Sequence, residues 1–346
     1  MLKTVYTYMT KYVKNCKKNK SVLKTLVILS LFIASVCLCS CKSRNTCVSK
    51  TGLYFDTVVT ISIYDRIPGA DSDRIIESCF NMMSEYEKTF SRTYEGSDIY
   101  RINHAGGTPV SVSDMTIDLL DQSIYYAGLS DGAVDPTVGA LSILWNIGSD
   151  NDNSVPDDES VKRALSATGY KNIEITGNKV ALRAPGMALD LGFIAKGYVA
   201  DRLKEYLLSE GITSAIIDLG GNILLIGNKS GDDFNIGLKD PLDPQGTPIT
   251  TIRVSDCSIV SSGDYERFFE KDGIRYHHIL SLQTGYPAVS DLSMVTVISD
   301  KSTDGDALST LCFVLGKDAS SKFLKENFPD VNAVFVDKKG NVSYLK

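Results

Sequence analysis

Short strand-like runs alternate irregularly with amphipathic helical segments from residue 54 to the end of this 346-residue chain, and this restricts the fold most. Tyr54–Tyr64 alternates apolar and polar residues and is rich in β-branched side chains, which predicts a strand. Asp73–Phe90 instead places apolar side chains at helical spacing. Glycines at Gly177-Asn178 and Gly220-Gly221 predict hairpins. Hairpins interspersed with helices predict an α+β fold with sheets covered by helices.

The first 40 residues have the pattern of a targeting segment. Seven lysines and no acidic residue occupy residues 1–24, and residues 25–40 are uncharged and largely apolar. That run is shorter than the roughly 20 apolar residues of a membrane-spanning helix. It ends in Leu38-Cys39-Ser40-Cys41, which resembles a bacterial lipobox. We predict a lipoprotein signal peptide over 1–40, a tether over 41–50 and one domain over 51–346; the alternative is an uncleaved N-terminal anchor.

Charge and cysteine spacing narrow the classes of partner. Beyond residue 40 the chain carries 29 basic and 42 acidic residues. An acidic body argues against broad binding of nucleic acid or anionic lipid by the folded domain. Cys47, Cys79, Cys257 and Cys312 are far apart and form no CxxC or Cys/His metal spacing. We expect no disulfide framework, and we expect Cys79 and Cys312 to lie in the core.

The stretch from Leu189 to Tyr198 is a candidate anion site. Its pattern predicts a strand that ends at Asp190-Leu191, a turn at Gly192 and a helix that begins near Ile194. Lys196 then lies in the first helical turn. Free backbone N–H groups and a partial positive charge collect at a helix start, which suits an anion. The alternative is an ordinary strand-to-helix joint with a surface lysine.

Asp306 and Thr310 are candidate metal ligands. They are four residues apart in a predicted helix over 304–315, so both lie on one face near its start. A carboxylate, a hydroxyl and a nearby carbonyl are hard oxygen donors that suit Mg²⁺. The alternative is an acid that interacts with the helix dipole and a threonine bonded to the preceding turn.

The histidines offer one candidate base. His277 and His278 precede the turn Gln283-Thr284-Gly285 in a strand-like segment, where neighbouring side chains face opposite ways. Only one of them can point into a given site, and a histidine there would suit proton transfer near neutral pH. No Walker A, HExxH or GxGxxG motif occurs, which argues against a standard P-loop NTPase, zinc protease or Rossmann enzyme.

Taken in order, these segments resemble the ApbE-type FAD:protein FMN transferase family. The resemblance covers roughly residues 54–316. It is carried by Phe55-Asp56-Thr57, Ser91 through Ser97 to Asn103, Gly132–Gly139 with Trp145, Asp190–Asp201, Leu219-Gly220-Gly221, Ser262-Gly263-Asp264-Tyr265, His278-Ile279 with Thr284-Gly285-Tyr286-Pro287, and Asp306–Gly316.

The resemblance implies two fused α+β halves with mixed sheets and with FAD bound between them, Mg²⁺ lying on its pyrophosphate. It implies transfer of the FMN moiety to a Ser or Thr hydroxyl of a target protein, with AMP released. The acceptor would belong to a membrane or extracytoplasmic electron-transfer system, since the lipobox predicts a lipoprotein of a bacterial cell envelope. Two alternatives remain: Mg²⁺-dependent hydrolysis of FAD to FMN and AMP, and a flavin-binding lipoprotein without turnover.

The family's sites map onto this sequence residue by residue. Asp306 and Thr310 would bind the metal by side chain and Phe193 by its carbonyl, and His278 is the candidate base for the acceptor hydroxyl. The residues implied to contact FAD are Phe55, Tyr94, Ala133, Val134, Asp135, Asp190, Lys196 and Leu280.

The sequence departs from the family pattern at several of these positions. Ser281-Leu282 replaces an Asp-Pro pair beside the proposed base, which removes a carboxylate. Phe55 stands where the family usually has Met, and Asp56 where it has Gly. The aromatic position in the loop after Ser91 falls on Thr93, so Tyr94 would serve through a local shift or would be a surface aromatic.

Overall fold

The computed structural model describes residues 47–148, 154–243 and 245–346. The predicted signal peptide and lipidation site, and most of the tether, lie outside these ranges. Within them, no helix combines the length and apolar character needed to cross a bilayer. Residues 47–346 pack as one compact unit.

The strands are short and hydrogen-bond mostly to neighbours in the chain. In chain order they are β1 Val48–Tyr54, β2 Thr57–Ile63, β3 Val110–Ser111, β4 Ile173–Thr176, β5 Lys179–Leu182, β6 Ala215–Leu219, β7 Asn222–Ile226, β8 Phe234–Leu238, β9 Thr250–Val254, β10 Ser258–Gly263, β11 Phe268–Lys271, β12 Ile274–His277, β13 Leu292–Ser299, β14 Asn332–Asp337 and β15 Val342–Leu345.

One eight-stranded sheet forms the centre, in the order β1-β2-β6-β7-β10-β13-β14-β15. Three smaller sheets, β3-β5-β4, β8-β9 and β11-β12, lie around it. The pairings between these strands are antiparallel, whereas the resemblance implied mixed sheets. The predicted α+β class is confirmed.

Eight helices lie in the described ranges. They are α1 Gly69–Phe90, α2 Asp98–His104, α3 Asp114–Leu129, α4 Gly139–Trp145, α5 Asp158–Ser166, α6 Ala195–Ser209, α7 Ser302–Leu315 and α8 Lys317–Asn327. Three of them, α1, α6 and α7, pack on the large sheet. Side-chain oxygens of Ser97, Ser113 and Asp157 cap α2, α3 and α5 by accepting a backbone N–H. In α1, Ile75, Ile76, Cys79, Phe80 and Met83 recur at helical spacing and are buried.

Three apolar clusters result from this packing. The main core lies between the helices and one face of the large sheet, and it includes Cys79 and Cys312 as predicted. A second cluster joins β8 and β9 to the other face. A third, smaller cluster surrounds Trp145, whose indole N–H donates to the carbonyl of Gly285 at 2.7 Å. That bond ties the loop after His278 to α4.

The first predicted strand is wrong in detail. The run Tyr54–Tyr64 is not one strand, because a two-residue turn at Phe55-Asp56 divides it into β1 and β2. The first strand begins at Val48, inside the segment that we assigned to the tether. No glycine or asparagine marked the turn, which is why the sequence did not predict it.

Leu189–Leu191, predicted as the end of a strand, lies outside the strands. Its backbone is held from two sides: the side chain of Asn103 bonds both the N–H and the carbonyl of Leu189, at 2.7 and 3.0 Å. The N–H of Asp190 donates to the carbonyl of Pro136 at 2.8 Å. The helix that follows begins at Ala195, one residue from the predicted start.

Candidate active site

One cavity of about 980 Å³ collects the side chains that the sequence singled out. It lies between the main core and the cluster around Trp145. Eleven of the twelve predicted site residues line it, namely Phe55, Tyr94, Ala133, Val134, Asp135, Asp190, Phe193, Lys196, His278, Leu280 and Thr310. The twelfth, Asp306, is buried in α7, one helical turn before Thr310.

Two helices approach each other closely at one end of the site. We call this region the α6–α7 corner, and it consists of Lys196, Gly197, Asp306 and Thr310. The N–H of Gly197 donates to Asp306 Oδ2 at 2.8 Å. A Cβ on Gly197 would lie 2.2 Å from the carbonyl oxygen of Ser302, so only glycine allows this approach of the two helices. Burial raises the pKa of the Asp306 carboxyl, and the Lys196 charge and the Gly197 N–H oppose that shift.

The corner presents oxygen donors rather than a cluster of acids. Thr310 Oγ1 lies 3.3 Å from Ser262 Oγ, which in turn lies 2.9 Å from Ser309 Oγ. Across the described ranges, no group of three or more His, Cys, Asp or Glu side chains is placed to hold a metal. The side chains of Asp306 and Thr310 offer one buried carboxyl and one hydroxyl, which are oxygen donors of the kind that hard divalent cations prefer.

The two other predicted acids have their carboxylates engaged. Asp190 Oδ1 accepts the N–H of Gly192 at 2.9 Å, and its Oδ2 lies 3.3 Å from Nε of Arg92, a cavity-lining cation that we did not predict. Asp135 is buried. Its oxygens accept the N–H and hydroxyl of Thr137 at 2.8 and 2.6 Å and the N–H of Tyr170 at 2.7 Å. Asp135 therefore holds the 133–138 turn in shape.

The hairpin wall, defined here as Phe55, Asp56, Glu87 and Tyr94, lies along another side of the cavity. Phe55 and Asp56 both have positive φ, 53° and 56°. Tyr94 is 53% exposed, and its N–H donates to Ser91 Oγ at 3.0 Å. Thr93 also lines the cavity, so the structure brings both candidate positions of the loop aromatic to the same place.

His277 and His278 face opposite sides, as predicted. His277 is buried against Phe313, with ring centroids 5.4 Å apart, and its Nε2 lies 3.0 Å from the carbonyl of Ala288. His278 lines the cavity, and its buried Nδ1 has no hydrogen-bond partner. Burial, followed by the nearby Arg267 cation, lowers the pKa of His278 to about 3, so its imidazole is neutral in this cavity.

Charged residues that the sequence did not single out also line the cavity. Glu266 follows Tyr265 in a matched segment, and Lys239 comes from the loop after β8. Burial raises the pKa of Glu266, while the charges of Lys196, Lys239 and Arg267 oppose that shift. These residues meet only through the fold, so no spacing in the sequence could have predicted the group.

The loop after His278 forms its own backbone hydrogen bonds at Ser281, the position where the ApbE-family pattern has an Asp. The N–H of Ser281 donates to the carbonyl of Tyr286 at 2.8 Å, and its own carbonyl accepts from Gly285 at 2.7 Å. Ser281 Oγ accepts the N–H of Gln283 at 3.3 Å. Leu282 lines the cavity. The turn is therefore complete with serine at this position.

Known proteins resemble this chain over most of its length. The model of the ApbE family matches residues 55–335. The chain is 36% identical over 345 residues to the FAD:protein FMN transferase of Treponema pallidum, covering 94% of this chain and 95% of that protein. It is 35% identical over 303 residues to an FAD:protein FMN transferase of Klebsiella pneumoniae, covering 87% and 92%.

Solved structures show the same fold. The ApbE protein of Thermotoga maritima aligns with a TM-score of 0.78 at 36% identity, covering 86% of this chain and 96% of that one. The flavin transferase ApbE of Vibrio cholerae aligns with a TM-score of 0.77 at 29% identity, with the same coverage. A match over most of the chain in sequence and in fold means that this protein belongs to the ApbE family.

Proposed function

We propose that this chain transfers the FMN moiety of FAD to a Ser or Thr hydroxyl of a target protein, forming a phosphodiester and releasing AMP. One observation carries the proposal: a neutral histidine, His278, and a hydroxyl donor, Thr310, line one cavity of nucleotide size, and the buried carboxyl of Asp306 lies one helical turn from Thr310. The relatives named FAD:protein FMN transferase, at up to 36% identity, support the same activity.

The step needs one proton acceptor and one leaving group. The hydroxyl oxygen of the acceptor would bond to the phosphorus of the FMN moiety while the bond from that phosphorus to the oxygen of AMP breaks. The hydroxyl proton passes to His278, and AMP leaves with the bridging oxygen. The cations Arg267 and Lys196 lower the pKa of His278 in addition to burial. Phosphates of bound FAD would compensate these cations, which raises the proton affinity of the imidazole when substrate is present.

The corner would hold Mg²⁺ through the side chains of Asp306 and Thr310 and the carbonyl of Phe193. The ion would supply positive charge where negative charge builds on the departing AMP. Lys196 lies in the first turn of α6 and would pair with a phosphate. The fit is one of chemistry, because each of the proposed donors is a hard oxygen.

The remaining implied contacts would orient the nucleotide. Phe55, Tyr94 and Leu280 offer apolar and aromatic surface, and Val134 and Ala133 lie on the turn that Asp135 holds. Because both Asp135 oxygens accept hydrogen bonds from the protein, its contact with FAD would come from its backbone. Asp190, paired with Arg92, would accept from a polar edge of the ligand.

The sequence also supports a place for the reaction. A lipid on Cys41 would anchor the enzyme to a membrane outside the cytoplasm, where it would meet an acceptor of an electron-transfer system. Substituting Cys41→Ala should abolish labelling of the protein by a clickable fatty acid. Labelling that persists in this variant would refute the lipid anchor at Cys41.

One experiment separates transfer from its two alternatives. The lipid-free chain from residue 42 is incubated with FAD, Mg²⁺ and a recombinant electron-transfer domain from the same organism. Intact mass of the domain and release of AMP are then measured. A domain that gains one FMN supports transfer. AMP with free FMN and an unchanged domain would indicate hydrolysis, and bound FAD without either product would indicate a flavin carrier.

A further inference from the structure

The turn between β1 and β2 holds two residues in a backbone conformation that is unfavourable for side chains with a Cβ. Tyr54 pairs with Thr57, so only Phe55 and Asp56 connect the strands. Both have positive φ, 53° and 56°. Two-residue turns of this kind favour Asn and Gly, and a left-handed conformation costs free energy for a residue with a Cβ. Something else in the structure must offset that cost.

The carboxylate of Glu87 supplies the most direct support. Glu87 lies near the end of α1, 32 residues further along the chain, and its Oε1 accepts the N–H of Phe55 at 2.6 Å. The Tyr54 ring packs against Phe80 of the same helix, with centroids 5.6 Å apart. The helix therefore holds both the strand end and the first residue of the turn.

The other side of the turn is also confined. A Cβ on Gly220 would lie 2.0 Å from Thr57 Oγ1, so the turn between β6 and β7 presses directly on the residue after Asp56. Phe55, Asp56, Thr57, Glu87 and Gly220 all line the cavity. A strained turn that is fixed on two sides and faces a binding cavity points to a role in shaping that cavity.

We propose that Glu87 is a positioning residue: its hydrogen bond to the Phe55 N–H holds the Phe55-Asp56 turn so that the Phe55 ring forms a wall for a planar ring of the bound nucleotide. Glu87 acts through the turn and does not touch the ligand. The identity of the nucleotide as FAD rests on the proposed function. The hydrogen bond itself does not.

Matched variants separate positioning from contact. Glu87→Ala removes the acceptor, Glu87→Gln keeps a carbonyl oxygen in its place, and Glu85→Ala removes an exposed carboxylate two residues earlier in the same helix. We expect Glu87→Ala to weaken FAD binding and raise the KM by about tenfold, the effect of losing one charge-assisted hydrogen bond. The kcat should stay within about twofold because no reacting group changes. Glu87→Gln and Glu85→Ala should resemble the wild type.

A second substitution tests the mechanism. Asp56→Gly in the Glu87→Ala background should restore most of the FAD affinity, because glycine adopts positive φ without the Cβ penalty. Fluorescence titration of FAD without added metal measures affinity independently of turnover. Wild-type FAD affinity in Glu87→Ala would overturn the inference. Failure of Asp56→Gly to restore a lost affinity would make Glu87 a ligand contact and would also overturn it.

Amide hydrogen exchange tests the hydrogen bond without any ligand. The Phe55 amide should be protected in the wild type and in Glu87→Gln and should exchange faster in Glu87→Ala, with the unfolding temperature followed alongside. Equal protection in all three proteins would overturn the inference even if FAD did not bind. A wild-type protein that protects Phe55 but does not bind FAD would overturn the proposed function alone.

Discussion

Two residues of the α6–α7 corner, Lys196 and Thr310, line the same cavity as the hairpin wall, but the two regions are built in opposite ways. The corner uses glycine to save space: Asp306 is 4% exposed, and no Cβ fits on Gly197. The hairpin wall places Phe55 and Asp56 where glycine would be easier, and Tyr94 is 53% exposed. The corner therefore depends on close packing of two helices. The hairpin wall depends on a strained turn in which Glu87 accepts the N–H of Phe55.

Asp306→Asn should have the largest effect and should show that the corner carries the chemistry. Asn would replace a carboxyl that we propose as a metal ligand, so the rate of AMP release should fall by about 100-fold or more. The control is Asp304→Asn, two residues earlier in α7, where the carboxylate accepts the hydroxyl of Tyr126 and does not line the cavity. Equal losses in the two variants would remove Asp306 from the reaction.

His278→Ala should come next, with His277→Ala as its neighbour control. Loss of a positioned base should lower kcat by about 100-fold while FAD affinity changes little. His277 packs on Phe313 outside the cavity, so His277→Ala should lower the unfolding temperature and leave the kcat of the folded fraction near the wild-type value. If the two variants show the same pattern, His278 is not the base.

Gly197→Ala tests whether the density of the corner matters. The added Cβ would lie 2.2 Å from a backbone carbonyl, so α6 and α7 must separate. We expect a loss of about 1–3 kcal/mol of unfolding free energy together with reduced turnover. Gly69→Ala, at the start of α1 with open space around it, should change neither. An unaffected Gly197→Ala protein would show that the corner can relax.

Tyr94→Ala should have a small effect, in contrast to the variants of the α6–α7 corner. An exposed aromatic side chain on a loop contributes little binding free energy when it packs against a ligand. We therefore expect FAD affinity to fall by less than about fivefold. A fall as large as that of Glu87→Ala would show that the loop, rather than the turn, forms the main surface for the nucleotide ring.

The pH profile should show no effect from His278. Because burial lowers the pKa of this imidazole to about 3, it stays in its proton-accepting form well below its usual value of 6.5. The kcat/KM, which reports the free enzyme, should therefore show no inflection near 6.5 across roughly pH 5 to 8. An inflection there that disappears in His278→Ala would mean that the empty cavity hydrates this histidine.

The sequence predicted the corner better than the hairpin wall, for physical reasons. Asp306 and Thr310 share one helix, so their relative position follows from local spacing. The His277 and His278 orientations follow from the alternation of a strand. Glu87 and Phe55 meet across 32 residues, and Arg92 pairs with Asp190, which lies far from it along the chain. Such contacts depend on tertiary packing, and the strained turn lacks the glycine that normally reveals one.

In the proposed reaction, one cavity attaches FMN to a protein only when the α6–α7 corner is intact. The most direct measurement is the intact mass of an acceptor domain after incubation with FAD and Mg²⁺ and either wild-type enzyme or Asp306→Asn. We predict that the acceptor gains one FMN with the wild type and none with the variant, although both enzymes bind FAD. An acceptor that gains FMN equally with both enzymes, or with neither, would contradict the proposed role of the corner in FMN transfer.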